Sequence, residues 1–345
     1  MPTVFTIDDI SRLDETLRQV VDERVTPGGA IICGVRGGEQ HIITAGAIGE
    51  EAGAAPAHER TLYDIASLTK VVATWPLVGQ LLADGMLELD APVRDFLPAI
   101  SGEAPSGQAT IRQLLTHTSG LRAATRLDHY RGAEAPLHEL LCREPLEDTP
   151  GTHRYINRGY ILLGLALSYV SGQPLHELAD DLWGRIGMTS TCYGPVARQP
   201  DVAPTEQRIP GAPRIWGSVH DDNAALLGGI AGHAGVFSTP LDLAHYADHL
   251  LTAHTNDQSD LSEWLHASLI GQATIEPGLQ RGLSWILADD GRIAYHHGWT
   301  GTSLYLAPHT GRYLVICTNA VYHGSHARTR LAPLRALARK TLSAT

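Results

Sequence analysis

The sequence predicts an α+β fold: an antiparallel sheet built from both ends of the chain, flanked by helices, with a mostly helical domain inserted between the two halves. Three patterns predict it. Strand-like segments around a hairpin signal lie near the N-terminus, a second set fills the region beyond Gly282, and the long middle reads as helices separated by loops. On this reading residues 1–75 and 266–345 form the sheet domain and residues 76–265 the helical one. A cleft at their boundary is the default place for a site.

The elements follow in order. Ile10, Leu13, Leu17, Val20 and Val21 recur at helical spacing within residues 7–25, and Pro27-Gly28-Gly29 stops the run. Residues 30–35 and 40–45 read as strands around Arg36-Gly37-Gly38. Residues 66–83 are apolar nearly all round, the mark of a helix buried on every side, and Gly85 closes it. Thr110 and Gln113 fit a capping box, and residues 159–170 form a further apolar helix stopped by Ser171-Gly172-Gln173-Pro174. Strands are expected at 283–288, 292–296, 303–307 and 312–318, then a terminal helix at 327–342.

Composition narrows the function classes. With 345 residues, 43% hydrophobic and 18% charged, the chain can bury a large core. A net charge of -11 repels phosphate backbones and anionic membranes, so neither nucleic acid nor membrane is an expected partner. The basic stretch Arg328, Arg330, Arg335, Arg339 and Lys340 reads as the solvated face of the last helix. Cys33, Cys142, Cys192 and Cys317 lack paired spacing, which indicates neither zinc nor a disulfide scaffold. Without a legible export leader or a bilayer-length apolar run, a cytoplasmic protein is expected. The oligomeric state stays open.

Chemistry concentrates at three places. Of only two lysines, Lys70 lies three residues after Ser67, which on a helix puts both side chains on one face. A buried lysine so placed can take the serine proton, and an N-terminal turn offers free N–H groups to an oxyanion. Composition gives roughly 0.1 chance matches to S-x-x-K. Tyr155-Ile156-Asn157 follows Pro150-Gly151, with about 0.13 chance matches to Y-x-N. A phenol beside an ammonium can act as acid or base, and an amide can hold a substrate carbonyl; a packed ring and a helix cap are the plainer alternative. H-x-G is cheap, with roughly 1.8 matches expected by chance and three found. His233-Ala234-Gly235 lies in a glycine-rich loop, His309-Thr310-Gly311 reads as a hairpin turn, and only His296-His297-Gly298 ends a strand. Gly298 permits close backbone approach and Trp299 N–H is a candidate oxyanion donor.

In this order, S-x-x-K, Y-x-N and H-x-G resemble the three elements of the penicillin-recognising serine hydrolases: class C β-lactamases, D-alanyl-D-alanine carboxypeptidases and β-lactamase-like carboxylesterases. The segments TLYDIASLTK (61–70), LLTHTSGL (114–121), PGTHRYINRGYILLG (150–164), GMTST (187–191), VHDDNAALLGGIAGHAGVFST (219–239) and HHGWTGTS (296–303) extend the likeness over nearly the whole chain. The resemblance implies that Ser67 is the nucleophile forming an acyl-enzyme. Lys70 and Tyr155 would share the proton work, Asn157 would orient the acyl side chain, and Ser67 and Trp299 would give the oxyanion N–H groups. It calls for no cofactor or metal, and for a small ester, amide or β-lactam as substrate. His296 stands where most β-lactamases carry lysine, and a neutral imidazole holds a carboxylate less well. Esters or small amides are therefore expected over β-lactams and cell-wall peptides. A binding module that acylates without turnover is the alternative of a different class.

Overall fold

The computed structural model describes residues 4–50, 53–255 and 259–343. In chain order the strands are β1 (Gly28–Val35), β2 (Gln40–Gly46), β3 (Tyr63–Asp64), β4 (Cys192–Tyr193), β5 (Val236–Ser238), β6 (Ala273–Glu276), β7 (Leu279–Arg281), β8 (Ile286–Ala288), β9 (Ile293–His297), β10 (Ser303–Ala307) and β11 (Arg312–Thr318). Eight of them form one sheet in the order β2-β1-β11-β10-β9-β8-β7-β6, with every pairing antiparallel. The first and last parts of the chain meet at β1 and β11, where Ile32 faces Val315.

Period-two alternation divides the sheet into two faces. Ile31, Cys33, Leu314 and Ile316 pack under the helices Ile7–Asp22 and Ala332–Ser343 through Leu13, Leu17, Leu334 and Ala338. Ile32, Leu304, Val315 and Cys317 face the other way into the larger core, which holds Leu243, Tyr246 and Leu250 of the helix Pro240–His254. Thr6 caps the first helix with Asp9 in a reciprocal capping box, and Thr110 does the same with Gln113.

Three local differences from the sequence reading have physical causes. β6 and β7 lie before Gly282, where the short polar-rich segments ATIE and LQR carry too little apolar alternation to announce strands. β3, β5 and β4 form a second, three-stranded sheet in the order β3-β5-β4, from segments too short for a period to show. The basic C-terminal stretch is not wholly solvated. Arg335 donates to Ser303 Oγ (3.2 Å) and to the carbonyls of Gly298 and Thr302, and the Arg328 guanidinium stacks 3.3 Å from the Trp299 ring. Among the described residues no helix is long and apolar enough to cross a membrane.

Candidate active site

The chain reaches Ser67 through a strained turn. Ile65 N–H is tied to the Val236 carbonyl of β5 (3.0 Å). Ala66 then adopts φ +47°, a left-handed conformation that costs an alanine about 1–2 kcal/mol. Beyond it the segment read as one helix from residue 66 is three pieces: a 3₁₀ turn Ala66–Leu68, a π turn Lys70–Thr74 and the α-helix Trp75–Ala83. Pro76 accounts for the wide turn, since it has no N–H for the carbonyl four residues back. Trp75 N–H instead reaches Lys70 O, while Val72 O accepts from Trp183 Nε1 (3.0 Å) and Val71 O from the Tyr246 hydroxyl (2.6 Å).

Lys70 is fully buried. Its ammonium donates to Ser67 Oγ (2.9 Å), Asn157 Oδ1 (3.0 Å) and the His233 carbonyl (3.2 Å). Every N–H has an acceptor, yet no carboxylate among the described residues lies within ion-pair distance. The Tyr155 and Tyr160 rings stand 4.9 and 5.4 Å from Nζ, supplying cation–π contacts in place of a counter-charge. Once Nζ gives up a proton, its lone pair lies within reach of the Ser67 hydroxyl.

Asn157 is the first residue of the helix Asn157–Ser171, so its amide points from a fixed backbone toward Lys70. Tyr155, 42% exposed, meets Lys70 through its ring face; among the described residues its hydroxyl makes no hydrogen bond to Ser67 or Lys70. Behind the ring sit His117, at 4.4 Å between centroids, and His296, at 6.1 Å. Burial, reinforced by the charge of Arg281, holds both imidazoles well below the ordinary histidine range, so both are neutral. His117 Nδ1 accepts from Ile156 N–H (3.2 Å), which leaves its proton on Nε2. His296 Nδ1 faces the His297 carbonyl (3.1 Å), so that nitrogen carries the proton and Nε2 presents a buried lone pair without a partner.

The end of β9 closes against the nucleophile turn. Thr300 Oγ1 donates to Asp64 O (2.6 Å) and Thr302 Oγ1 to Ile65 O (3.1 Å). A Cβ on Gly298 would collide with the Thr302 hydroxyl and the Ile65 carbonyl. Ser67, Tyr155, Asn157 and Trp299 line a single cavity of about 510 Å³. His296 and Gly298, expected to touch substrate, stand instead behind that lining: His296 is 2% exposed and Gly298 is wedged under Thr302.

Several contributors escaped the sequence reading. The His233 H-x-G, set aside for lacking a strand, reaches the site through its backbone carbonyl, while its side chain bonds Asp221 (2.8 Å). Asp221 also caps the short helix Asp222–Leu226. Burial opposes its charge, but the His233 contact and the Ala224 amide hold its carboxyl well below the usual range. Glu206, Arg208, His220 and Asp222 complete a charged wall on that side of the cavity. There Arg208 pairs with both Glu206 and Asp222, and His220 Nε2 lies 3.1 Å from Glu206. Hydrogen bonds from His220 and Arg208 push Glu206 down to about 2. Glu206 and Arg208 lie in none of the family-like segments, and for His220, Asp221 and Asp222 the likeness of segment 219–239 assigns no role. His309 lies in the turn between β10 and β11, away from the cavity. Among the described residues no group of three or more His, Cys, Asp or Glu could hold a metal ion.

Comparison with known proteins gives matches over most of the chain. The family model described as Beta-lactamase matches residues 13–338. A protein of Escherichia coli (strain K12) named putative D-alanyl-D-alanine carboxypeptidase is 29% identical over 307 residues, covering 75% of this chain and 69% of that one. The crystal structure of a class C beta lactamase from Rhodobacter sphaeroides superposes with a TM-score of 0.76 at 20% identity, over 97% of this chain and 98% of the other. That of a D-alanine carboxypeptidase from Burkholderia cenocepacia gives 0.73 at 21%, over 98% and 99%. At such identities the two structures speak to the fold.

Proposed function

Since this chain belongs to the beta-lactamase family, we propose that it is a serine hydrolase that cleaves a small ester or amide through an acyl-serine. The observation that carries this reading is the buried, carboxylate-free Lys70 ammonium 2.9 Å from Ser67 Oγ. In the reactive form Lys70 is an amine. Ser67 Oγ attacks the substrate carbonyl carbon while its proton passes to Nζ, and the C=O pair moves onto oxygen. The N–H groups of Ser67 and Trp299 receive that oxyanion. On collapse the bond to the leaving group breaks and a proton from Lys70, or from Tyr155 once its side chain swings its hydroxyl toward Ser67, leaves with it. Water then attacks the acyl-serine, giving up its proton to the same pair, and Ser67 is released with its hydrogen restored. Asn157 steers the acyl group.

One feature supports a substrate without a free carboxylate. The cavity wall carries Glu206, Asp221 and Asp222 against one arginine, Arg208, already paired. A second reading, cleavage of a peptide with a C-terminal carboxylate, draws on the name of the Escherichia coli relative and on Arg328, which stacks beside Trp299 at the cavity without a carboxylate within ion-pair distance among the described residues. Turnover of p-nitrophenyl acetate, nitrocefin and a D-alanyl-D-alanine peptide by wild type and Ser67→Ala separates the readings. Ester hydrolysis dominant in wild type and lost in the variant is the expected result. Undiminished turnover by Ser67→Ala refutes the acyl-serine route. Adducts that form without product favour a binding module.

A further inference from the structure

Asp64 is buried at 2% exposure directly beneath the nucleophile turn, and nothing in the chemistry above employs its carboxylate. One oxygen accepts from Ala66 N–H (2.8 Å), closing an Asx turn over Ile65. The other accepts from His220 N–H (2.7 Å), on the loop that builds the charged wall of the cavity. Burial pushes the Asp64 carboxyl up, against His220 and the two amide contacts, which favour its charge. Ala66 is held at φ +47° between this turn and Ser67, a conformation that glycine takes freely and alanine resists. The main-chain oxygens of Asp64 and Ile65 are fixed in turn by Thr300 and Thr302. Among the described residues the carboxylate is the one anchor that grips the strained residue's own N–H.

We propose that Asp64 is a positioning residue for Ser67: its carboxylate keeps Ala66 left-handed, so that the Ser67 hydroxyl stays on the cavity and beside Lys70, and it locks this turn to the wall at His220. The inference rests on Ser67 being the acylated residue. Charge-assisted bonds to two amides are short and strong, which suits a clamp that must offset backbone strain.

The test is pre-steady-state acylation by p-nitrophenyl acetate, which separates the acylation rate from the substrate dissociation constant, with thermal unfolding alongside. Asp64→Ala is expected to slow acylation about 10²-fold, the scale of an ångström-sized misplacement, with substrate dissociation unchanged. Asp64→Ser, whose hydroxyl still accepts from Ala66 N–H, loses less. Adding Ala66→Gly to Asp64→Ala restores most of the rate, because glycine needs no clamp to hold positive φ; a purely structural aspartate gives no such rescue. Acylation within threefold of wild type in Asp64→Ala, a loss confined to substrate affinity, or no rescue by Ala66→Gly overturns the proposal. So does failure of both single variants to fold, which makes Asp64 a folding residue. Absence of acylation in wild type sinks the acyl-serine reading and this inference with it, whereas normal wild type and normal variants sink this inference alone.

Discussion

Replacing Lys70 by methionine keeps an unbranched side chain one atom shorter and removes its charge, and the consequences for stability and for activity have different sizes. The ammonium gives three hydrogen bonds at 2.9, 3.0 and 3.2 Å. Losing them leaves Asn157 Oδ1 and the His233 carbonyl unpaired in a buried site, at about 1–3 kcal/mol each. Against this, the variant no longer buries a cation lacking a carboxylate, a relief of several kcal/mol. The two nearly cancel, so the melting temperature is expected to stay within about 5 °C of wild type. Activity has no such compensation: without the proton acceptor beside Ser67, ester turnover falls by about 10²–10⁴. The assay pairs p-nitrophenyl acetate hydrolysis with thermal unfolding of the same preparation. Turnover within tenfold of wild type in a folded Lys70→Met protein would refute the assignment of Lys70 as the base.

Further outcomes follow from the same geometry. Gly298→Ala drives a methyl into Thr302 Oγ1 and Ile65 O, parting β9 from the nucleophile turn; ester kcat/KM should drop at least about 10²-fold, and an unchanged value contradicts the closure described. Asp222→Lys changes the cavity rim by two charges and frees Arg208 from one partner, so carboxylate-bearing substrates should gain about fivefold over neutral esters at low salt, an advantage that fades as salt is added. An unaltered preference argues against charge selection at this wall. Burial, then Arg281, lowers His153 to about 4, and the same two causes hold His117 and His296 well below their ordinary range. Such groups are neutral in the fold and protonate in the unfolded chain, so their stability contribution is whole above about pH 6.5 and drains as pH falls toward 4. Urea midpoints should decline through that window, less steeply in His153→Gln; a flat profile contradicts the buried-neutral description.

What the sequence made legible is what has a period or a rare spacing. The antiparallel pairing of the two chain ends follows from alternating strands at 28–46 and 293–318. The approach of Ser67, Lys70 and Asn157 follows from motifs whose chance frequency is well under one. Hidden were features set by single close contacts. The Ala66 kink has no signature because alanine rarely takes positive φ, and the π turn depends on Pro76 together with Trp183 and Tyr246, residues more than a hundred positions away. His233 was discounted because its strand context was weak, yet the site uses its backbone carbonyl, which any residue supplies. Neutral His296 was anticipated from its chemistry, but not its burial behind Tyr155, since H-x-G says nothing about which side chain covers it.

The most direct measurement is covalent trapping. Wild type is incubated with a fluorophosphonate probe, digested, and the modified peptide sequenced by mass spectrometry. A single adduct on Ser67, formed far more slowly in Lys70→Met, is the result this account predicts. Labelling at another residue, or labelling of Ser67 at an equal rate with and without the lysine, would contradict it.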